Sequence, residues 1–246
     1  MKYLLDISFV GTQYAGYQIQ KNAITIQKVL CDASRELFKI DCNITGCSRT
    51  DSGVHANSFM CTLEPNNGEC NIPCSSLPFA LNRILPSDIS VKSCTTVDDD
   101  FHPRYGVKYK EYIYLIYDEA QRNPFFENRA YHCPKKLDID IMNKAGEYFC
   151  GKHDFKAFMA SGSDIIDTVR TVEYCKISRE NALVKVTVAA DGFLYNMVRI
   201  IVGTLISVSL GKIDAEELPR IITEGKRENA GFTAPAYGLY LNKVIY

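Results

Sequence analysis

Residues 107–117 read VKYKEYIYLIY, a run rich in tyrosine and isoleucine that is at home on a pleated strand. It constrains the fold more than any other stretch, because strand-like runs of this kind recur along the chain with helical ones between them. Residues 2–10 place Tyr3, Leu5, Ile7 and Phe9 on one strand face. NSFMCTL (57–63), DISVKSCTTV (88–97) and the closing GLYLNKVIY (238–246) read as further strands, and 168–178 with 182–190 as a hairpin around SREN. The stretch 10–25, with Gly11 and Gly16, is loop-like. From about 25, Ile26, Val29, Leu30, Ala33 and Leu37 recur at helical spacing behind Thr25, which can cap. A short helix carries Leu77, Ala80, Leu81 and Ile84. DIDIMNKAGEYFCG (138–151) predicts an amphipathic helix with Ile141, Ala145, Tyr148 and Phe149 inside and a stop at Gly151. A long apolar helix is expected over roughly 193–209, and a shorter one around Leu218, Ile221 and Ile222. Strands and helices mixed throughout predict an α+β or α/β class. A boundary between Pro124 and Pro134 divides the chain into halves 1–125 and 126–246.

A chain of 246 residues, 46% hydrophobic and 23% charged, has ample material for a core. No apolar run reaches the roughly 20 residues of a membrane helix. The opening MKYLLDISFV is broken by Asp6 and has no small-residue cleavage pattern, so no secretory signal is expected. Ten scattered cysteines then read as reduced thiols in the cytoplasm. The net charge of −1 lacks the basic excess usual in nucleic-acid binders. Segregation, as in the acidic run Asp98, Asp99, Asp100, can still leave a basic face.

Several chemistries fail on their residues. GEYFCGKH (146–153) approaches a phosphate loop, but His153 stands where a magnesium-holding hydroxyl belongs. No dinucleotide fingerprint is present. Cys70 with Cys74, and His132 beside Cys133, do not make a pair of zinc knuckles. Ser48, Asp51 and His55 could be written as a triad, but triads follow geometry rather than adjacency, and no nucleophile elbow is present.

TGCSRTDSGVHA (45–56) is neither helix-like nor strand-like, and it sets Arg49 two residues before Asp51. Two readings stand. One is a surface turn, since Gly, Ser, Thr and Asp are turn formers and an exposed Arg–Asp pair contributes little. The other is a reactive loop. Favouring the second, FHPRYGVKYKEYIY (101–114) interleaves tyrosines on both strand faces with Arg104, Lys108 and Lys110. Rings to stack on and cations for phosphate are what an unpaired base requires, although a half-buried strand with its hydroxyls in water has the same pattern.

The loop GCSRTDSGVHA resembles the G-x-G-R-T-D-x-G-V-H-A signature of TruA-type tRNA pseudouridine synthases. GTQYAGYQIQ with TIQKVL, ALNRILPSDISV, DDDFHPRYGVKYKEYIY, GKHDFKAF, FLYNMVRIIVGTLISVSLGK and TAPAYGLYL resemble that family's other blocks in order, across essentially the whole chain. Ser48 departs from the usual Gly and Tyr17 from the usual Trp; neither removes a reacting group.

The resemblance implies a pseudouridine synthase fold: a mixed, largely antiparallel sheet flanked by helices, in two similar halves around a cleft. It implies isomerisation of uridine at positions 38, 39 and 40 of the tRNA anticodon stem-loop, by a homodimer, with no cofactor and no metal, because atoms and redox state balance. Asp51 matches the catalytic aspartate. Three paths are open to it, attack on the sugar carbon, attack on the base, or assistance to elimination, and each needs it ionised in a dry site. Desolvation opposes that charge and a guanidinium restores it. Arg199 matches the basic partner, Tyr112 the active-site tyrosine that stacks on uracil, and Leu194 a pocket wall. Arg49 is left to face RNA in the space of the displaced nucleotide. Tyr114 is expected to pack, and His55 to touch RNA or finish the loop. The alternative is a catalytically idle RNA-binding module of the same fold.

Overall fold

The strand-like pattern at the start of the chain becomes β1, Lys2–Phe9, with Tyr3, Leu5, Ile7 and Phe9 all buried. A computed structural model describes residues 2–66 and 72–246. Cys70 of the zinc reading therefore lies outside the described residues. Helix α1, Ile26–Phe38, starts where Thr25 caps it, the Thr25 hydroxyl accepting the Lys28 N–H at 3.3 Å. It ends at Lys39 in the left-handed region (φ 60°) and buries Ile26, Leu30 and Ala33. Then follow β2 (Cys42–Gly46), β3 (His55–Pro65), the short α2 (Leu77–Asn82) and β4 (Ile89–Val97).

β1 pairs antiparallel with both β3 and β4, and β2 pairs antiparallel with β3. α1 lies against β2, and α2 against β4. The outer edge of β4 is closed by a side chain: the Asn82 amide donates to the Val91 carbonyl at 2.8 Å and accepts the Val91 N–H at 2.7 Å, standing in for a neighbouring strand.

The second half opens with β5, Tyr109–Tyr117, and continues through β6 (Tyr131–His132), α3 (Ile139–Glu147), β7 (Gly151–Asp154), β8 (Val169–Glu180), β9 (Leu183–Ala190), α4 (Met197–Ser209), α5 (Leu218–Glu224) and the last strand, β10 (Leu239–Ile245). β5 pairs antiparallel with β9, β9 with β8, and β8 with β7, while β6 runs parallel to β5. The β8–β9 hairpin turns on Asn181, whose positive φ of 54° suits a two-residue hairpin loop. Here too an asparagine covers a strand edge, Asn143 of α3 exchanging hydrogen bonds of 2.9 Å with both backbone groups of Ile177 in β8.

The chain divides into two compact units, Met1–Lys108 with Tyr240–Tyr246, and Tyr109–Leu239. The division falls before β5 rather than in 124–134, since β5 pairs along its whole length with β9. With the short β6 and β7 set aside, both units run strand, helix, two strands, helix, and in both the first of these strands pairs with the last and the last with the middle one: β1–β3–β2 and β5–β9–β8. The class is α+β with mostly antiparallel pairing and helices against the sheets.

Three expectations shift. The buried face of α3 is Met142, Ala145 and Gly146, continued by Phe149; Ile141 is 40% exposed, because the helical stripe runs one position later than its most apolar residue suggests. Gly151, at φ +97°, opens β7 rather than closing a helix. Helix α4 begins at Met197, not 193, because Asn196 is left-handed (φ 61°, ψ 11°) and a right-handed helix cannot continue through it.

Candidate functional site

Asp51 occupies the first position of a tight turn in the first unit. Its carbonyl accepts the Val54 N–H at 3.2 Å, and Gly53 supplies the positive φ of 80° that such a turn needs at its third residue. The side chain of Asp51 is half-buried. Behind the turn runs the loop-like segment 10–17. Tyr14 accepts at its carbonyl from the Gly53 N–H at 3.3 Å and from the Ser52 hydroxyl at 3.2 Å, while the Tyr17 N–H reaches the Thr50 carbonyl at 3.4 Å.

Two glycines permit this approach. A Cβ on Gly11 would stand 1.9 Å from the Val54 carbonyl oxygen, and one on Gly16, already at φ +85°, 2.3 Å from that of Thr50. The blocks GTQYAGY and CSRTDSGVH are thus two layers of one backbone packing. His55 completes it: fully buried, its Nδ1 accepts the Gly11 N–H at 2.9 Å, and its ring lies 4.6 Å from that of Tyr240. Of its two expected roles, finishing the loop is the one this geometry describes. Arg49 is exposed. Ser48 has no positive φ, so a Cβ costs no backbone strain where relatives of the loop signature carry glycine. The Tyr17 ring stacks on Phe59 at 4.2 Å and covers Gly46, the contact that fixes its size there.

In the second unit, Tyr112, Tyr114 and Ile116 point to the buried side of β5. Tyr114 is fully buried and donates to the Pro235 carbonyl at 2.8 Å; burial foremost, then Tyr237, pushes its hydroxyl well above the ordinary tyrosine range against a lowering by Arg199. That is a packing tyrosine. Tyr112, 7% exposed, receives the edge of Phe193 at 5.0 Å and 86°. Phe193 and the buried Leu194 belong to the turn that leads into α4, closed by the Met197 N–H on the Leu194 carbonyl at 3.0 Å.

Arg199, in the first turn of α4, is gripped by its surroundings. Its Nη1 donates to the Asn196 side chain at 2.6 Å and its Nε to the Ala234 carbonyl at 2.7 Å, while the Ala234 N–H donates back to the Arg199 carbonyl at 3.1 Å. Ala234 lies on a strap, residues 230–235, that is pressed onto α4. A Cβ on Gly203 would meet the Phe232 carbonyl oxygen at 1.8 Å, and the Gly231 N–H donates to the Thr204 hydroxyl at 2.8 Å. Arg227 organises the strap's start, donating to the Gly231 carbonyl at 2.8 Å and the Thr233 hydroxyl at 3.1 Å.

A family model described as tRNA pseudouridine synthase matches residues 7–106 and 145–246. The chain belongs to the tRNA pseudouridine synthase family. It is 48% identical over 242 residues to the tRNA pseudouridine synthase A of Acetivibrio thermocellus, covering 98% of each chain. The enzyme of the same name from Thermoanaerobacter sp. is 44% identical over 99% of this chain and 98% of its own, and that from Ruminiclostridium cellulolyticum 43% identical over 100% and 99%. Among solved structures, a chain of a Cbf5-Nop10-Gar1 complex matches 97% of this chain over 48% of its own length, with 12% identity and a TM-score of 0.38.

Measured against this family, the structure draws Tyr112, Leu194 and Arg199 into one unit and sets Asp51 and Arg49 in the other. Of the residues around them, Gly11 and Gly16 behind the aspartate turn were read only as loop glycines, and Asn196 and Ala234 around Arg199 were not singled out in the sequence. The glycines carried a signal, since two of them five residues apart in an aromatic loop mark close backbone approach. The strap carried one only as the family block TAPAYGLYL.

Proposed function

We propose that the protein isomerises uridine to pseudouridine in tRNA, at positions 38, 39 and 40 of the anticodon stem-loop, with the Asp51 carboxylate as its nucleophile. The bond between N1 and the sugar carbon C1′ breaks, a bond from C5 to C1′ forms, C5 gives up its proton to solvent, and N1 takes one. Nothing is oxidised or reduced, so the chain's own side chains suffice. Tyr112 stacks on the extruded uracil, and its hydroxyl helps carry the C5 proton. Leu194 walls the pocket. Arg199 keeps the carboxylate of Asp51 ionised against desolvation. Arg49, exposed on the same loop as the aspartate, enters the space the target nucleotide vacates. The working form is a homodimer acting in the cytoplasm.

The observation that carries this reading is the turn at Asp51: its backbone is fixed by segment 10–17 with no room for a single added methyl at Gly11 or Gly16, in a chain that matches the tRNA pseudouridine synthase model at both ends. Among the described residues, no helix is long and apolar enough to cross a membrane. The test is release of tritium from unmodified tRNA labelled at uracil C5. The account expects release in proportion to pseudouridine formed at 38–40; tRNA binding without release identifies the idle module instead.

A further inference from the structure

One exposed ring stands outside everything described so far. Tyr105 is 80% exposed, in the first unit, on the loop that joins β4 to β5. Single exposed hydrophobic side chains are ordinary. This one sits on a braced support. Pro103 is buried, with its carbonyl accepting the Tyr246 hydroxyl at 2.8 Å, and Phe101 lies against the Tyr246 ring at 5.3 Å. The Lys2 ammonium ties down the carbonyls of Asp99 and Phe101, and the Lys108 N–H holds the Ile245 carbonyl at 2.7 Å. His102 accepts the Arg104 N–H on Nδ1 at 3.1 Å, which fixes the imidazole, and the Tyr105 ring lies over that imidazole at 4.3 Å and 33°. A fixed aromatic pair with most of its outer ring in solvent, flanked by the exposed Arg104 and Lys108, has the make-up of a base-stacking platform.

We propose that the Tyr105–His102 stack binds a nucleobase of the tRNA substrate other than the target uridine, one that is unpaired or frays on binding. The proposal rests on tRNA being the substrate. Asp98, Asp99 and Asp100 open the same loop, so the contact is made by stacking on the base rather than by neutralising phosphate.

The dissociation constant of unmodified tRNA, followed by fluorescence anisotropy over a range of salt, tests this. Tyr105→Ala is expected to weaken binding about tenfold, a single stacked base's worth. The salt slope should stay that of the wild type, because no phosphate contact is lost. Tyr105→Phe keeps the ring and stays within about twofold of the wild type. Tyr105→Ala binding as tightly as the wild type overturns the proposal, as does Tyr105→Phe binding as weakly as Tyr105→Ala. So does a weakening that follows a change in oligomeric state in sedimentation, which would make Tyr105 a contact between protein copies. If the wild type modifies tRNA and Tyr105→Ala matches it, this inference alone falls; if the wild type binds no tRNA, the functional reading falls with it.

Discussion

Gly16 illustrates how narrowly the candidate site is specified at single positions. Its φ of +85° and the 2.3 Å that a Cβ would leave to the Thr50 carbonyl mean that Gly16→Ala strains the backbone and displaces the aspartate turn together. A loss of roughly 1–3 kcal/mol of stability is expected, with a fall in tritium release larger than the folded fraction explains. Unchanged melting and turnover would mean that segment 10–17 does not brace the turn. Tyr112 and Tyr114 separate in the same way. Tyr114→Phe removes the donor to the Pro235 carbonyl and should lower stability by about 1 kcal/mol while sparing turnover. Tyr112→Phe should lower turnover by tenfold or more, as loss of a proton-carrying hydroxyl does. The reverse order would move the uracil pocket to the other tyrosine. Asp51, Tyr112 and Arg199 could be proposed from the sequence because motif residues keep fixed neighbours in the chain. The conformation of Asn196 was not: its left-handed backbone is imposed by the turn onto Leu194, a tertiary matter that no helix propensity registers.

At the level of elements, α4 and its strap behave as one part. The helix is buried on nearly all sides, so its apolar run was plain in the sequence, yet the orientation of Arg199 depends on a segment more than thirty residues later. Gly203→Ala pushes a methyl into the Phe232 carbonyl. Overpacking of this kind costs about 1–3 kcal/mol, which in a chain of this size lowers Tm by roughly 2–4 °C per kcal/mol. Because the strap also carries Ala234, turnover at a temperature where the variant is fully folded should fall as well. A variant that melts early but turns over normally when folded would show that the strap serves stability alone. Strands read from alternation came through with shifted ends, and β3 proved longer than its apolar part. The short β2 went unread: CNITG is half polar, and it is a strand because its five residues pair with Cys61–Pro65 of β3, a partner that local sequence cannot display.

For the whole molecule, each of the two units carries the same three-strand core, β1–β3–β2 in one and β5–β9–β8 in the other. The first holds Asp51 on a braced turn, and the second holds Tyr112 against Phe193 and an oriented Arg199. The net charge of −1 gives little hint of a polyanionic substrate, since a whole-chain sum does not register how charge is distributed over a surface. The family was legible because its blocks recur in order along the entire chain. The division at 108/109 was not, because it follows from the pairing of β5 with β9, some seventy residues away.

The central claim is that Asp51 performs the chemistry and does not merely help bind RNA. Its most direct test is tritium release from C5-labelled tRNA by Asp51→Asn, alongside tRNA affinity. The account predicts no release, with affinity within about tenfold of the wild type, or 1.4 kcal/mol. Sustained turnover by that variant would contradict it.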